Sequence, residues 1–150
     1  MTCTTTNSNT CPACGLPLFG ETTCELCARD QAYEARIAAL TAPFGEFTVR
    51  LASAGNPDFG QDPRRSMPGV PRRMIQVATL RAASDACRAY IEHHELGGGN
   101  WTGGEVWRGI GRKAVAQISY NGRAWEPSKR GGQRREISLD APVSAAGASK

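Results

Sequence analysis

The sequence predicts an α+β protein: a small, mostly antiparallel sheet in the order β-β-α-β-β-β with one helix packed on a face, preceded by a cysteine-rich module. Three observations carry this prediction. Several short segments alternate apolar and polar residues, one long amphipathic segment lies between them, and two C-x2-C pairs are confined to the first thirty residues. A chain of 150 residues has room for one domain and a small appendage.

Residues 1–10 are mostly Thr, Asn and Ser and read as a flexible leader. Residues 11–43 read as a compact module ending in a helix. Leu26, Tyr33, Ile37 and Leu40 share a face of that helix, and Pro43 discourages its continuation. The main domain spans 44–127. Phe47, Val49 and Leu51 alternate with Thr48 and Arg50, the pattern of a half-buried strand. Residues 54–73 contain four prolines among Gly, Asp and Arg, so they form an irregular loop. Loops of such length are usually functional or disordered. Met74 to Ala78 is the second strand.

Thr79 is a good N-cap for a helix running from Leu80 to about Leu96. Leu80, Ala83, Cys87, Tyr90, Ile91 and His94 form its inward face, and Gly97 is expected to close it at positive φ. Trp101–Arg108 and Ala114–Tyr120 are the next strands. Asn121-Gly122 is a strong hairpin signal because both residues tolerate positive φ, and Arg123–Glu126 is the return strand. Residues 128–150, with Gly131-Gly132 and several basic side chains, read as a disordered basic tail.

Composition narrows the class. Apolar residues are 40% and charged residues 21%, which suits a soluble globular protein. No run approaches the roughly 18 apolar residues of a membrane span, and the N-terminus lacks an apolar signal core. A cytoplasmic protein without membrane association is expected, in a compartment where its six cysteines stay reduced. The net charge is +4 and unevenly spread. Residues 1–45 carry two basic and four acidic side chains, and residues 127–150 carry five and two. Most of the basic residues are Arg, which suits phosphate or carboxylate recognition, although a GC-rich coding sequence gives the same bias.

The sharpest motif is Cys11-Pro12-Ala13-Cys14-Gly15 followed by Cys24-Glu25-Leu26-Cys27. Each C-x2-C pair places two thiolates on one tight turn, and two facing turns give four sulfurs at tetrahedral vertices. Four soft thiolates suit Zn²⁺ or iron. With no ligand position left for water, the expected cofactor is a structural Zn²⁺ held by Cys11, Cys14, Cys24 and Cys27. This segment resembles the zinc-ribbon and rubredoxin-type knuckle families, whose signature is a CPxCG turn paired with a second CxxC. Ala28 departs from that pattern, because the second knuckle runs directly into a helix. A treble-clef-like arrangement is therefore the alternative. Cys3 and Cys87 stand outside the pairs.

Trp101, Trp107, Tyr120 and Trp125 fall on the predicted meander, interleaved with Arg108, Arg112, Lys113 and Arg123. Aromatics that stack bases beside cations that hold phosphates are a common single-strand binding surface. Alternatively, the aromatics cover the helix and the cations are solvated. Arg64, Arg65, Arg72 and Arg73 occupy the long loop, where they could grip a phosphate backbone or an acidic protein face. The glycine run Gly97–Gly104 reads as a join between helix and strand. No nucleophile–base or paired-carboxylate constellation is visible, so no enzyme is expected. A zinc knuckle on a small basic α+β unit resembles accessory proteins of plasmids and phages, with Asn56-Pro57-Asp58-Phe59-Gly60 and Ser119-Tyr120-Asn121-Gly122-Arg123 as the stretches that carry the likeness. The expectation is a non-catalytic accessory protein that binds nucleic acid or a nucleoprotein complex. The alternative is a protein-docking module, such as an inhibitor of a host defence complex of the CRISPR nuclease type, encoded by a mobile element.

Overall fold

Phe47, Val49 and Leu51 turn inward from the first strand while Thr48 and Arg50 turn outward, as period-two alternation requires. A computed structural model of the chain describes residues 10–11, 13–18, 24–109, 114–127 and 134–140. The elements are α1 (Glu25–Leu40), β1 (Phe47–Leu51), β2 (Arg73–Val77), α2 (Leu80–His93), β3 (Glu105–Arg108), β4 (Ala114–Ile118), β5 (Ala124–Trp125) and β6 (Glu136–Ile137). Single helical turns lie at Pro57–Phe59 and Gly98–Asn100. The strands form one antiparallel sheet in the order β2-β1-β3-β4-β5-β6. The α+β class predicted from the sequence is the class observed.

Helix α2 covers one face of the sheet. The Thr79 hydroxyl accepts from the Ala82 amide at 3.1 Å, so the helix begins where the N-cap signal places it. Leu80, Ala83, Cys87, Tyr90 and Ile91 are buried on its inner side, against Val49, Leu51, Val77, Val106, Ala116 and Ile118. Each large side chain so buried contributes about 1.5–3 kcal/mol. Helix α1 lies on the outer flank of α2, buries Tyr33 and Ile37 in the same cluster and packs the half-buried Leu40 against it.

Several expectations need correction. Helix α2 ends at His93, and Gly97 is not its terminator, because its φ is −79°. Glu95 takes the positive φ instead, at 52°. The Leu96 amide donates to the Ile91 carbonyl and the Glu95 amide to that of Glu92. This is the two-bond closure of a Schellman motif, with Leu96 buried at its apolar contact. The strand expected from Trp101 starts only at Glu105, since Trp101 makes an isolated bridge to Ser53. Leu26 is half exposed rather than packed with Tyr33 and Ile37.

The expected disordered tail is also corrected in part. Residues 134–140 include the short strand β6, place Ile137 and Leu139 against the core, and hold Asp140 to Arg81. The alternation of Ile137 and Leu139 with Glu136 and Ser138 is a strand pattern that composition alone hides. The leader 1–9 and residues 128–133 and 141–150 lie outside the described residues.

The long loop between β1 and β2 is irregular, as expected, and is pinned from within. Asn56 accepts from the Asp58 amide and donates its own amide to Gln61 Oε1. Asn100 Nδ2 donates to the Ala54 carbonyl and to Gln61 Oε1. Met67 and Val70 pack on the core, and Tyr90 Oη donates to the Pro71 carbonyl at 3.0 Å. The glycine run serves this packing: a Cβ on Gly99 would collide with the Asn56 side chain, and one on Gly104 with the Ile118 carbonyl oxygen. Gly122, at φ 80° in the Asn121-Gly122 turn, accepts from the buried Ser84 hydroxyl.

Gly104 combines positive φ, 87°, with that collision. Gly104→Ala should therefore lose about 2–4 kcal/mol of unfolding free energy in a denaturant titration. Gly60 has a similar φ of 69° but open space around it, so Gly60→Ala should lose only about 1 kcal/mol.

Candidate metal centre

The first cysteine pair sits on a closed knuckle. The Cys11 amide donates to the Leu16 carbonyl at 2.7 Å and the Gly15 amide to that of Cys11 at 2.8 Å. Thr10 bridges Pro17 just outside the turn. Gly15 has φ 73°, the left-handed conformation expected after the second cysteine of such a turn. The second pair is built differently. Cys24 is the N-cap of α1, and Cys27 lies in its first turn. The module therefore has the knuckle-plus-helix form given as the treble-clef-like alternative.

The two turns bring all four Sγ atoms within 4.8 Å of one another. Cys11 and Cys27 approach to 3.6 Å, and Cys14 and Cys24 to 3.5 Å. A tetrahedral metal with sulfur bonds of about 2.3 Å implies edges of about 3.8 Å. The fit is close, and these four cysteines could hold a metal ion. Cys11 and Cys24 are buried while Cys14 is exposed, so the centre lies at the surface with one open side.

Charge explains why four thiols this close call for a cation. The Cys27 thiol is pushed up, first by Cys14 and then by Cys11. For Cys14 the largest influence is the Leu16 amide, which favours thiolate, but Cys11, burial and Cys24 outweigh it and raise the thiol. Without a metal, Cys14 and Cys27 therefore favour the protonated thiol. A metal ion reverses the preference by neutralising the sulfurs, and the N-terminus of α1 adds partial positive charge beside Cys24 and Cys27. Cys87, by contrast, is held as a thiol by burial inside α2. Cys3 lies outside the described residues.

Helix α1 carries the centre to the rest of the fold. Its seam with α2 stacks Tyr33 on His93, with ring centroids 4.1 Å apart and planes 6° apart. His94 meets Tyr90 edge-on and is kept below the usual imidazole range by burial, then by His93 and Arg73. Arg29 pairs with Glu95, Arg36 with Glu92, and Arg73 with both oxygens of Glu34. Exposed pairs of this kind contribute about 0–1 kcal/mol each. Two buried ring nitrogens in the seam, His93 Nδ1 and His94 Nε2, have no hydrogen-bond partner among the described residues. Nothing local in the sequence marks this seam, since each contact joins residues far apart in the chain.

The proposed binding residues divide into distinct groups. Arg64, Arg65 and Arg72 are exposed and make no ion pair among the described residues. Arg73, Arg108 and Arg123 are committed to Glu34, Glu46 and Glu136. Trp101 is half-buried, donates its indole N–H to the Ile118 carbonyl at 3.3 Å and sits 6.0 Å from the Tyr90 ring, so its first task is packing. Trp107 pairs with Thr48, and Trp125 with Gln117, which places both on the sheet face opposite α2. Trp125 also lines a cleft of about 400 Å³ with Trp101, Gln117 and Arg134. Arg112 and Lys113 lie outside the described residues. The sequence treated these aromatics and cations as one surface; the fold sorts them by strand parity and by available carboxylates.

Titration with Zn²⁺ should saturate at one ion per chain and release protons. Its apparent affinity should fall by more than about 100-fold per pH unit as pH drops below neutral, because the raised thiols must each lose a proton to bind. Cys14→Ser, at an exposed ligand, should abolish tight binding in a competition assay with a metallochromic dye.

No helix among the described residues is long and apolar enough to cross a membrane. No known protein family, curated protein or solved structure matches this chain.

Proposed function

We propose that this chain is a non-catalytic zinc protein that binds nucleic acid, or the nucleic-acid part of a nucleoprotein complex, through the arginine loop between β1 and β2. Four cysteines fill the coordination shell of Zn²⁺ and leave no position for a reactive water, which supports a structural role for the metal. The observation that carries the binding assignment is the distribution of paired and unpaired arginines. Arg29, Arg36, Arg50, Arg73, Arg81, Arg108 and Arg123 each have a carboxylate partner. Among the described residues Arg64, Arg65 and Arg72 have none, as is also true of Arg88, Arg134 and Arg135, and the first three project from one loop whose backbone is anchored to Asn100 and Tyr90. Unneutralised guanidinium groups on a fixed scaffold are suited to phosphate oxygens. The uncovered sheet face with Trp107 and Trp125 offers stacking surface for unpaired bases.

A second reading rests on Phe44 and Phe59, which are 100% and 79% exposed. Phe59 lies on the arginine loop itself, and apolar side chains displayed beside cations also suit a protein face. In that reading the chain docks on a protein complex, for example a host defence nuclease that a mobile element must block.

A salt series separates the two. Anisotropy with labelled single- and double-stranded oligonucleotides should show affinity falling at least about 10³-fold between 50 and 200 mM salt if six or more phosphates are contacted. Changing Arg64, Arg65 and Arg72 together to Ala should lower the log–log salt slope by about 0.7–0.9 for each lost contact. Arg108→Ala should leave the slope nearly unchanged. Absence of binding at 50 mM salt would eliminate the nucleic-acid reading and leave protein docking.

A further inference from the structure

Helix α1 is bound to the rest of the fold unequally along its length. Its N-terminal end belongs to the cysteine centre, since Cys24 caps it and Cys27 lies in the first turn, and Cys24 makes no side-chain capping hydrogen bond. Its body contributes only Tyr33 and Ile37 to the core, whereas α2 buries eight side chains. Leu40 packs on the core from the helix end and Tyr33 stacks on His93; the other α1 contacts include ion pairs with largely exposed partners, such as Arg29–Glu95 at 50% and 73% exposure. Against these modest gains the seam encloses His93 Nδ1 and His94 Nε2 without hydrogen-bond partners among the described residues. A helix of 16 residues is marginal in water on its own. By contrast, α2 and the sheet supply most of the core, centred on Val49, Leu51, Leu80, Tyr90, Val106 and Ile118, to which α1 adds Tyr33 and Ile37 at one side.

We propose that the cysteine centre is a latch. Helix α1 stays docked on α2 only while a metal ties Cys24 and Cys27 to Cys11 and Cys14. Loss of the metal frees α1 as a unit while α2 and the sheet keep their fold. The latch reaches the arginine loop at Arg73. Glu34 of α1 holds Arg73 at 2.7 and 3.1 Å, and the Arg73 guanidinium lies 5.6 Å from the centre of the Tyr33 ring. Releasing α1 removes both partners and adds Arg73 to the unpaired cations Arg64, Arg65 and Arg72. Metal occupancy thereby regulates the charge that the loop presents. The latch depends on metal binding at the four cysteines and not on what the loop binds.

Hydrogen exchange on the full chain tests this, with metal content measured in the same samples. The zinc-loaded protein is compared with protein stripped by a chelator under reducing conditions, and with a Cys14→Ser, Cys24→Ser double variant. Amides of Glu25–Leu40 should exchange at least about 100-fold faster in both metal-free samples, while those of β1 and α2 change by less than about threefold. Restoring Zn²⁺ to the stripped wild-type chain should restore protection. The latch is overturned if α1 keeps its protection without metal, or if α1, β1 and α2 lose protection together. A chain that takes up no metal overturns both the latch and the zinc reading. Uptake of metal with unchanged α1 protection on its removal overturns the latch alone.

Discussion

The fold depends on the burial of one face of α2 against the inner row of the sheet. Tyr90 stands at the centre of it, fully buried, with its hydroxyl bonded to the Pro71 carbonyl and its ring beside Trp101 and His94. That one side chain ties α2 to the loop before β2, to the segment before β3 and to the α1 seam. Parity does the rest. Once Val49 and Val106 point toward α2, Arg50, Glu105, Trp107 and Gln117 must point away, and Arg50 pairs with Glu105 on the outer face.

Order in the long loop follows from the same core. An irregular segment has no ladder of its own, so its polar backbone groups need side-chain partners. Asn56, Gln61 and Asn100 supply them, and the glycines from Gly97 to Gly104 let those backbones approach. The loop therefore holds its arginines on a rigid support, although it has almost no regular structure. That combination of a fixed backbone and cations without a carboxylate partner among the described residues underlies the function proposed for this chain.

The cysteine module has the opposite economy. It has little apolar surface to bury, and the proximity of its four sulfurs is unfavourable without a cation. The proposed latch couples its order to metal, and through α1 would extend that dependence across the α2 seam to Glu34 and Arg73. Two regions with different sources of stability meet along one helix pair, and the weaker of them adjoins the charged loop.

By itself the sequence determined the features governed by short-range rules. Alternation in Phe47–Leu51 specified a strand, Thr79 specified the start of α2, Asn121-Gly122 specified a hairpin, and the spacing of Cys11, Cys14, Cys24 and Cys27 specified a four-sulfur centre. Each of these rests on backbone geometry within a few residues. Tertiary structure decided what depends on distant neighbours. It ended α2 at His93 and gave the positive φ to Glu95 instead of Gly97, because the Ile91 carbonyl and the buried Leu96 could close the helix there. It drew residues 134–140 onto the sheet, where β5 offered an open edge, and it divided the arginines into paired and free according to which carboxylates the fold brought near. A guanidinium has the same intrinsic chemistry at Arg64 as at Arg73; only the arrival of Glu34 from a helix 39 residues away makes one available and the other not.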